Sequence, residues 1–250
     1  MWSCRVCDWD CHQSCVDGDA TLAHIEALGN GISSCPSLRV LNMASCMLGS
    51  KSITILASTF SKALLESMDI SKNAIEVDGA KALVSMLPGS SIKTLTFGPK
   101  STKINLQMNA LEPEPEEETS VNFSKQELGP TELIIIAYWF STDATAVLEE
   151  VDISGNFITG TRSKDNDGQA PWIYDDDMSG FEEFCKVLPS SPIKTIKMAG
   201  NKMGPKSIVI LASTLNTALV DEVDLSNNRF DPSLLTDIEH VKLNLTGCSP

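Results

Sequence analysis

The sequence contains few aromatic and few basic residues. Aromatic side chains make up 6% of its 250 residues, and arginine occurs only four times. Acidic residues outnumber lysine and arginine by 33 to 19, which gives a formal net charge of -14 at pH 7. A chain of this charge repels the phosphate backbone of nucleic acids. We therefore expect no nucleic acid partner.

Long apolar segments are also missing. The longest apolar run, residues 133–140, is much shorter than the roughly 20 residues that a membrane-spanning helix needs. The first residues lack the apolar core of a secretory signal. Four of the eight cysteines crowd into residues 1–15, which is unlike a disulfide framework. These features predict a protein without a membrane span that stays in the cytoplasm.

The sequence lacks the short motifs that accompany catalysis. It has no phosphate-binding glycine loop, no nucleophile elbow and no histidine pair of a metalloprotease. Its three histidines, His12, His24 and His240, are scattered along the chain. We predict that the protein is not an enzyme.

The chain does contain a recurring phrase, in which an aliphatic segment leads into Asp-x-Ser-x-Asn. The phrase occurs at residues 69–73, 152–156 and 224–228. Two longer blocks, residues 49–73 and 204–228, are identical at fourteen of twenty-five aligned positions. In both blocks, apolar residues recur at helical spacing before the phrase begins. The pattern indicates repeats that each contain a strand and a helix.

Seven segments fit the pattern L-x-x-L-x-L-x-x-N/C-x-L wholly or in part, in units of about 25–28 residues. This pattern resembles the ribonuclease-inhibitor type of leucine-rich repeat, over residues 19–245. The resemblance implies an α/β leucine-rich-repeat solenoid of about seven repeats, with a curved parallel β-sheet and helices on the convex side. The segments begin at Leu38, Leu65, Ile92, Val121, Leu148, Ile193 and Val220.

The asparagines of this pattern have a structural role in the family that the sequence resembles. They typically hydrogen-bond to neighbouring backbone and form a ladder between successive coils. Asn73, Asn156, Asn201 and Asn228 occupy that position. We expect these four residues to hold the coils together.

The repeats predict a cysteine-rich segment at residues 1–18 and a solenoid at residues 19–250. Insertions at about residues 99–118 and 160–178 interrupt the repeats. In the first insertion, Ile104, Leu106 and Met108 alternate with polar residues, which predicts an extra strand or hairpin. Acidic runs in both insertions predict solvated loops.

The N-terminal cysteines form the clearest chemical pattern. Cys4, Cys7, Cys11 and Cys15 could close a tetrahedral zinc site, because zinc favours four soft ligands at such spacings. The segment resembles the middle of a ZZ-type or related treble-clef finger, but the flanking ligand pairs of such fingers are missing. Four protein ligands leave no open position for water, so bound zinc would be structural. The alternative is a finger remnant without metal that caps the solenoid.

Strand alternation divides each repeat between core and surface. At residues 67–71, Met68 and Ile70 are expected in the core, whereas Asp69 and Ser71 point outward. The outward positions of all repeats form an acidic row that would favour a basic partner segment. The alternative is that they are solvated consensus positions of the family. The predicted partner-binding residues of this row are Asp69, Ser71, Asn122, Glu150, Asp152, Lys197, Glu222 and Asp224.

The helix predicted at residues 131–141 is apolar nearly all round. When one side faces the core, Tyr138 and Trp139 remain on the outer face. Such a face either contacts a partner or is covered by residues 99–112. Tyr138 and Trp139 complete the predicted partner-binding set.

These features predict a non-catalytic scaffold or adaptor that binds a protein partner, expected to be basic, through its leucine-rich-repeat surface. It could also be a subunit of a larger assembly. One alternative is a zinc-finger-bearing adaptor, whose residues 1–18 recognise a peptide or a ubiquitin-like partner. Another is a GTPase activator, because some ribonuclease-inhibitor-type repeats supply an arginine from a loop after a strand; Arg162 has such a position.

Overall fold

The computed structural model describes residues 19–60, 63–99, 102–108, 119–163 and 171–250. The chain divides into two compact units, Met1–Asn109 and Ala110–Pro250, and each contains strands and helices. None of the described helices is both long and apolar enough to cross a membrane. The fold is mixed α/β, in agreement with the prediction of fold class.

The described residues of the first unit form three α-helices, a short 3-10 helix (Leu87–Gly89) and one four-stranded sheet, in the order β1-β2-β3-β4. β1, β2 and β3 are parallel, whereas β4 is antiparallel to β3. The extra strand predicted in the first insertion is therefore confirmed. The elements are α1 (Asp19–Ser33), β1 (Val40–Asn42), α2 (Ser50–Phe60), β2 (Ser67–Asp69), α3 (Glu76–Met86), β3 (Thr94–Phe97) and β4 (Ile104–Gln107).

The second unit contains a five-stranded parallel sheet, in the order β11-β10-β9-β6-β5, and a separate antiparallel hairpin of β7 and β8. Its elements are β5 (Ser120–Asn122), α4 (Pro130–Phe140), β6 (Glu150–Asp152), β7 (Arg162–Ser163), β8 (Trp172–Ile173), α5 (Ser179–Val187), β9 (Thr195–Lys197), α6 (Pro205–Leu215), β10 (Glu222–Asp224) and β11 (Lys242–Asn244). All seven predicted repeat segments contain a strand. One continuous curved sheet stays a prediction, because the structure describes two small sheets in two units.

The repeat strands are short and bury alternate residues. In β2, β6, β9 and β10 the central residue is buried and both neighbours are half-buried. The helices bury one face in the same periodic way. α2 buries Ile53, Leu56, Ala57 and Phe60, at the spacing i, i+3, i+4 and i+7. The core of each unit therefore lies between its sheet and its helices.

Asn73 links two coils of the first unit. Its Oδ1 accepts hydrogen bonds from the backbone N–H groups of Cys46 and Leu48, both at 3.0 Å. Its Nδ2 donates to the carbonyl oxygens of Met43 and Ile70, both at 2.8 Å. The side chain thus pairs four backbone groups at a turn where no regular ladder could pair them.

The second unit repeats this arrangement, and the predicted structural role of the asparagines is confirmed. Asn156 and Asn228 each donate to two carbonyl oxygens in their own and the preceding coil. Asn201 differs from them. Its Oδ1 accepts from the Asn156 N–H at 2.6 Å, but its buried Nδ2 has no hydrogen-bond partner within the described ranges.

The sequence pattern does not predict strand β11, which lies parallel to β10 at the edge of the sheet. His240 stands where the preceding segment has Val220, and its Nε2 lies 2.9 Å from the carbonyl oxygen of Leu215. Cys248 takes the place of the ladder asparagine. Its Sγ donates to the carbonyl oxygen of Leu225 at 3.1 Å, as an asparagine Nδ2 would.

Helix α4 is buried on nearly every side, which corrects the expectation that Trp139 lies on an accessible contact face. The Trp139 side chain is only 8% exposed. Its ring lies edge-on to Phe123, with centroids 6.1 Å apart, and 5.5 Å from Phe140. The ring of Phe140 in turn lies edge-on to that of Phe184 of α5, with ring centroids 6.0 Å apart. Tyr138 is half-buried, and burial raises the pKa of its hydroxyl.

The second insertion forms the hairpin of β7 and β8, and its described part is fixed to the repeats. Asp175, which is buried, caps the start of α6: its carboxylate accepts from the N–H groups of Gly204 at 2.9 Å and Ser207 at 3.1 Å. Residues 164–170 of the predicted acidic loop lie outside the described residues. The aspartate at 175 is therefore a helix cap, supplied by a distant segment.

Candidate interaction surface

Strand alternation gives the five-stranded sheet of the second unit one polar face. We define the sheet face by two rows of residues that are in register across the strands. The first row is Ser120, Glu150, Thr195, Glu222 and Lys242, and the second row is Asn122, Asp152, Lys197, Asp224 and Asn244. Four of the predicted binding residues with acidic side chains lie together here, beside the predicted Asn122 and Lys197.

Lysines neutralise part of the acidic charge of the sheet face. The Nζ of Lys197 donates to Glu150 Oε1 at 2.5 Å, and that of Lys242 donates to both carboxylate oxygens of Glu222 at 3.0 and 3.1 Å. The hydrogen bond to Glu150 and the nearby carboxylates raise the pKa of Lys197 above its ordinary value. These partly exposed ion pairs contribute little stability, so a partner can compete for them.

The last residue of most repeat strands stabilises the turn that follows. In six strands this residue is Asp or Asn, and its Oδ1 accepts a hydrogen bond from the backbone N–H two residues later. The distances lie between 2.8 and 3.2 Å. The residues are Asn42, Asp69, Asn122, Asp152, Asp224 and Asn244. The acidic row predicted for binding therefore has a structural role as well, which either Asp or Asn can fill.

The three strand-end aspartates, Asp69, Asp152 and Asp224, differ in whether a side chain donates to their second carboxylate oxygen. Asp69 Oδ2 forms an ion pair with Lys103 of the first insertion at 2.7 Å. Burial alone would raise the pKa of Asp69, but the hydrogen bonds from Lys103 and Ser71 outweigh it and hold the pKa below its ordinary value. For Asp152 and Asp224, no described side chain donates to the second oxygen. Of the three strand-end aspartates, these two therefore keep an oxygen that a partner can bind.

Ser71 does not belong to the accessible surface, contrary to the prediction. Its side chain is fully buried, and its hydroxyl donates to Asp69 Oδ1 at 2.6 Å. β2 ends at Asp69, so the strand alternation that predicted an outward side chain no longer applies at Ser71. Sequence reasoning also missed Lys103, Lys242 and Asn244, although the alternating Leu243 and Leu245 could have indicated β11.

We expect Asp152→Asn to leave the fold intact and Asp152→Ala to weaken it. Asparagine keeps the Oδ1 acceptor for the Ser154 N–H, so the free energy of unfolding should change by less than about 0.5 kcal/mol. Alanine loses the hydrogen bond, which should cost about 1 kcal/mol. Urea unfolding of both variants measures the difference. Equal losses in the two variants would contradict the role of Asp152 in the turn.

The remaining predicted sites are Arg162 and the four N-terminal cysteines. Arg162 forms an ion pair with Asp176, with its Nε 2.6 Å from Asp176 Oδ2. The predicted zinc ligands Cys4, Cys7, Cys11 and Cys15 lie outside the described residues, so structural zinc stays a prediction. Among the residues that the structure describes, no group of three or more His, Cys, Asp or Glu side chains is arranged to hold a metal ion.

Comparison with known families adds one finding. Residues 62–84 match a family model described as Leucine Rich repeat. The match covers β2 and most of α3, and it includes the first Asp-x-Ser-x-Asn phrase. A search of curated proteins found no match. The chain therefore contains a leucine-rich repeat, a module that generally mediates protein–protein interaction.

Proposed function

We propose that the protein is a non-catalytic scaffold that binds a basic segment of a protein partner on the sheet face of its second unit. One observation carries the proposal. Asp152 and Asp224 flank Lys197 in the second row, and each keeps one carboxylate oxygen to which no described side chain donates a hydrogen bond. Protein-binding is the usual role of leucine-rich repeats.

The spacing of the strands suits an extended partner segment. Neighbouring strands of a sheet lie about 4.8 Å apart, so Asp152 and Asp224, two strands apart, are separated by roughly 10 Å. Side chains on one face of an extended peptide repeat at about 7 Å, within reach of both carboxylates for long lysine or arginine side chains. The net charge of -14 would attract such a partner from a distance.

We further propose that the repeats are of the ribonuclease-inhibitor type and that the protein acts in the cytoplasm, as a scaffold or as a subunit of a larger assembly. Full helices between parallel strands support the repeat type: α2 joins β1 to β2, α3 joins β2 to β3, and α6 joins β9 to β10. The ladder partners Cys46 and Asn73 are 27 residues apart, close to the repeat length of that type.

Affinity capture with quantitative mass spectrometry tests the proposal. The tagged full chain, the double variant Asp152→Asn/Asp224→Asn and the control Asp143→Asn/Asp237→Asn are compared. Both double variants remove two negative charges, but Asp143 and Asp237 are exposed and lie off the sheet face. We expect partners of the wild type to be lost in the first variant and retained in the control. Retention of the same partners in both would reject the sheet face as the binding surface.

A further inference from the structure

A second surface of the second unit is aromatic and basic. We define the aromatic–cation cluster by Phe157, Trp172, Lys202 and Arg229. The Nζ of Lys202 lies 3.2 Å from the ring centroid of Trp172 and 5.2 Å from that of Phe157. Aromatic ring faces attract cations, so the two rings hold the ammonium group in place. The Phe157 side chain is still 38% exposed, and Arg229 is exposed.

Among the described residues, the two cations of this cluster lack a counter-ion. Neither Lys202 nor Arg229 forms an ion pair with any carboxylate in the described part of the chain. Arg229 Nη1 donates to a hydroxyl, Ser249 Oγ, at 3.2 Å. Partial burial lowers the pKa of Lys202, and the neighbouring Arg229 charge lowers it further. A partly desolvated cation beside a like charge is stabilised when an anion approaches.

The fold holds the members of the cluster in fixed positions. Lys202 and Arg229 each follow a ladder asparagine in neighbouring coils, and the Arg229 N–H donates to the carbonyl oxygen of Met203 at 2.9 Å. The second insertion brings Trp172 onto Lys202. The hydroxyl of Thr161, in the same insertion, donates to the carbonyl oxygen of Lys202 at 3.0 Å. A partner therefore meets a site whose side chains are already ordered, which lowers the entropic cost of binding.

We propose that the aromatic–cation cluster binds an acidic peptide segment of a protein partner. An anionic side chain of the segment lies against Lys202 and Arg229, and an apolar neighbour packs on the exposed ring surface of Phe157. Aromatic and arginine side chains are the residues that most often carry the binding energy of protein interfaces. The cluster shares no residue with the sheet face. It favours an anionic partner segment, whereas the sheet face favours a basic one. The protein would then hold two partner segments, one basic and one acidic.

Fluorescence anisotropy with a labelled hexapeptide of alternating Glu and Phe tests the proposal on the full chain. We expect wild-type protein to bind this peptide and to bind the Gln–Phe version at least tenfold more weakly. Arg229→Gln should weaken binding of the Glu–Phe peptide at least fivefold. Lys206→Gln removes the same charge from an exposed position in the first turn of α6 and should change binding less than twofold. Lys202→Arg retains the charge and should retain binding.

Each other outcome has a defined meaning. A peptide with phosphoserine in place of Glu supports the cluster if it binds more tightly, and it identifies phosphate as the preferred anion. No binding of either peptide, equal binding of the Gln–Phe peptide, or equal losses in Arg229→Gln and Lys206→Gln would overturn the proposal. Tighter binding of a single-stranded oligonucleotide would also overturn it. Asp152→Asn/Asp224→Asn should bind the Glu–Phe peptide normally, so the two surfaces can fail independently.

Discussion

Asn156→Ala should destabilise the second unit far more than Asn201→Ala. Asn156 is buried, and its Oδ1 accepts from the backbone N–H groups of Gln126 and Leu128, both at 3.0 Å. Its Nδ2 donates to the carbonyl oxygens of Phe123 and Ile153, at 2.9 and 2.8 Å. Alanine leaves these four backbone groups without their partner. Each buried unpaired group costs about 1–3 kcal/mol, so we expect a loss of about 4 kcal/mol in the free energy of unfolding.

Asn201 is the matched control, because it has the same residue type and the same place in its repeat. Its Oδ1 accepts one hydrogen bond, of 2.6 Å, from the Asn156 N–H, and its Nδ2 is unpaired among the described residues. Asn201→Ala should therefore cost only about 1–2 kcal/mol. Urea unfolding followed by tryptophan fluorescence measures both, since buried Trp139 lies in the second unit. A loss in Asn201→Ala equal to that in Asn156→Ala would contradict this account of the ladder.

Gly180→Ala should also weaken the second unit strongly. Gly180 lies buried in the first turn of α5, directly against the backbone at the start of α4. A Cβ atom at this position would lie 2.7 Å from the Cα of Pro130 and 2.8 Å from its carbonyl carbon. Backbone atoms cannot rotate away, so the two helices must separate. Overpacking of this kind costs about 1–3 kcal/mol or more, and we expect the upper end of that range.

Gly31→Ala is the control for the glycine prediction. Gly31 lies in α1, and a Cβ atom there would meet nothing within 4 Å. Because glycine is a poor helix former, alanine should stabilise this helix by about 0.5–1 kcal/mol. Thermal unfolding of the two variants should thus show shifts of opposite sign. A Gly180→Ala protein as stable as the wild type would show that α4 and α5 do not approach closely at Pro130.

The repeat strands and the asparagine ladder could be predicted from the sequence because both depend on local spacing. In β2, β6, β9 and β10, a buried residue at the strand centre is followed five residues later by an asparagine, so the same local geometry recurs. The structural role of Asp152 was missed. Its outward direction in the strand suggested a binding role, whereas its side chain also accepts a hydrogen bond from the backbone N–H two residues later. Such a local bond could have been predicted from the sequence.

Contacts between distant segments could not be predicted. The cap of α6 comes from Asp175, which is 29 residues before Gly204, and the insertion must follow one particular path for them to meet. The same holds for Trp172 above Lys202 and for Lys103 beside Asp69. Trp139 was misplaced because an apolar pattern on all sides of a helix does not tell which side the neighbouring helix covers. These contacts depend on how insertions fold back, and no repeat pattern encodes that.

The most direct test of the proposed sheet-face function is a binding titration with a basic probe. A labelled hexapeptide of alternating Lys and Ser is titrated with wild-type protein, Asp152→Asn/Asp224→Asn and the control Asp143→Asn/Asp237→Asn at low and physiological salt. Asparagine at positions 152 and 224 can accept the same kind of strand-end hydrogen bond that Asn122 and Asn244 accept, so the variants change only the charge. We expect at least tenfold weaker binding in the sheet-face variant and less than twofold weaker binding in the control. Equal binding by both variants, or no binding by the wild type, would contradict the assignment of the sheet face as a surface for a basic partner.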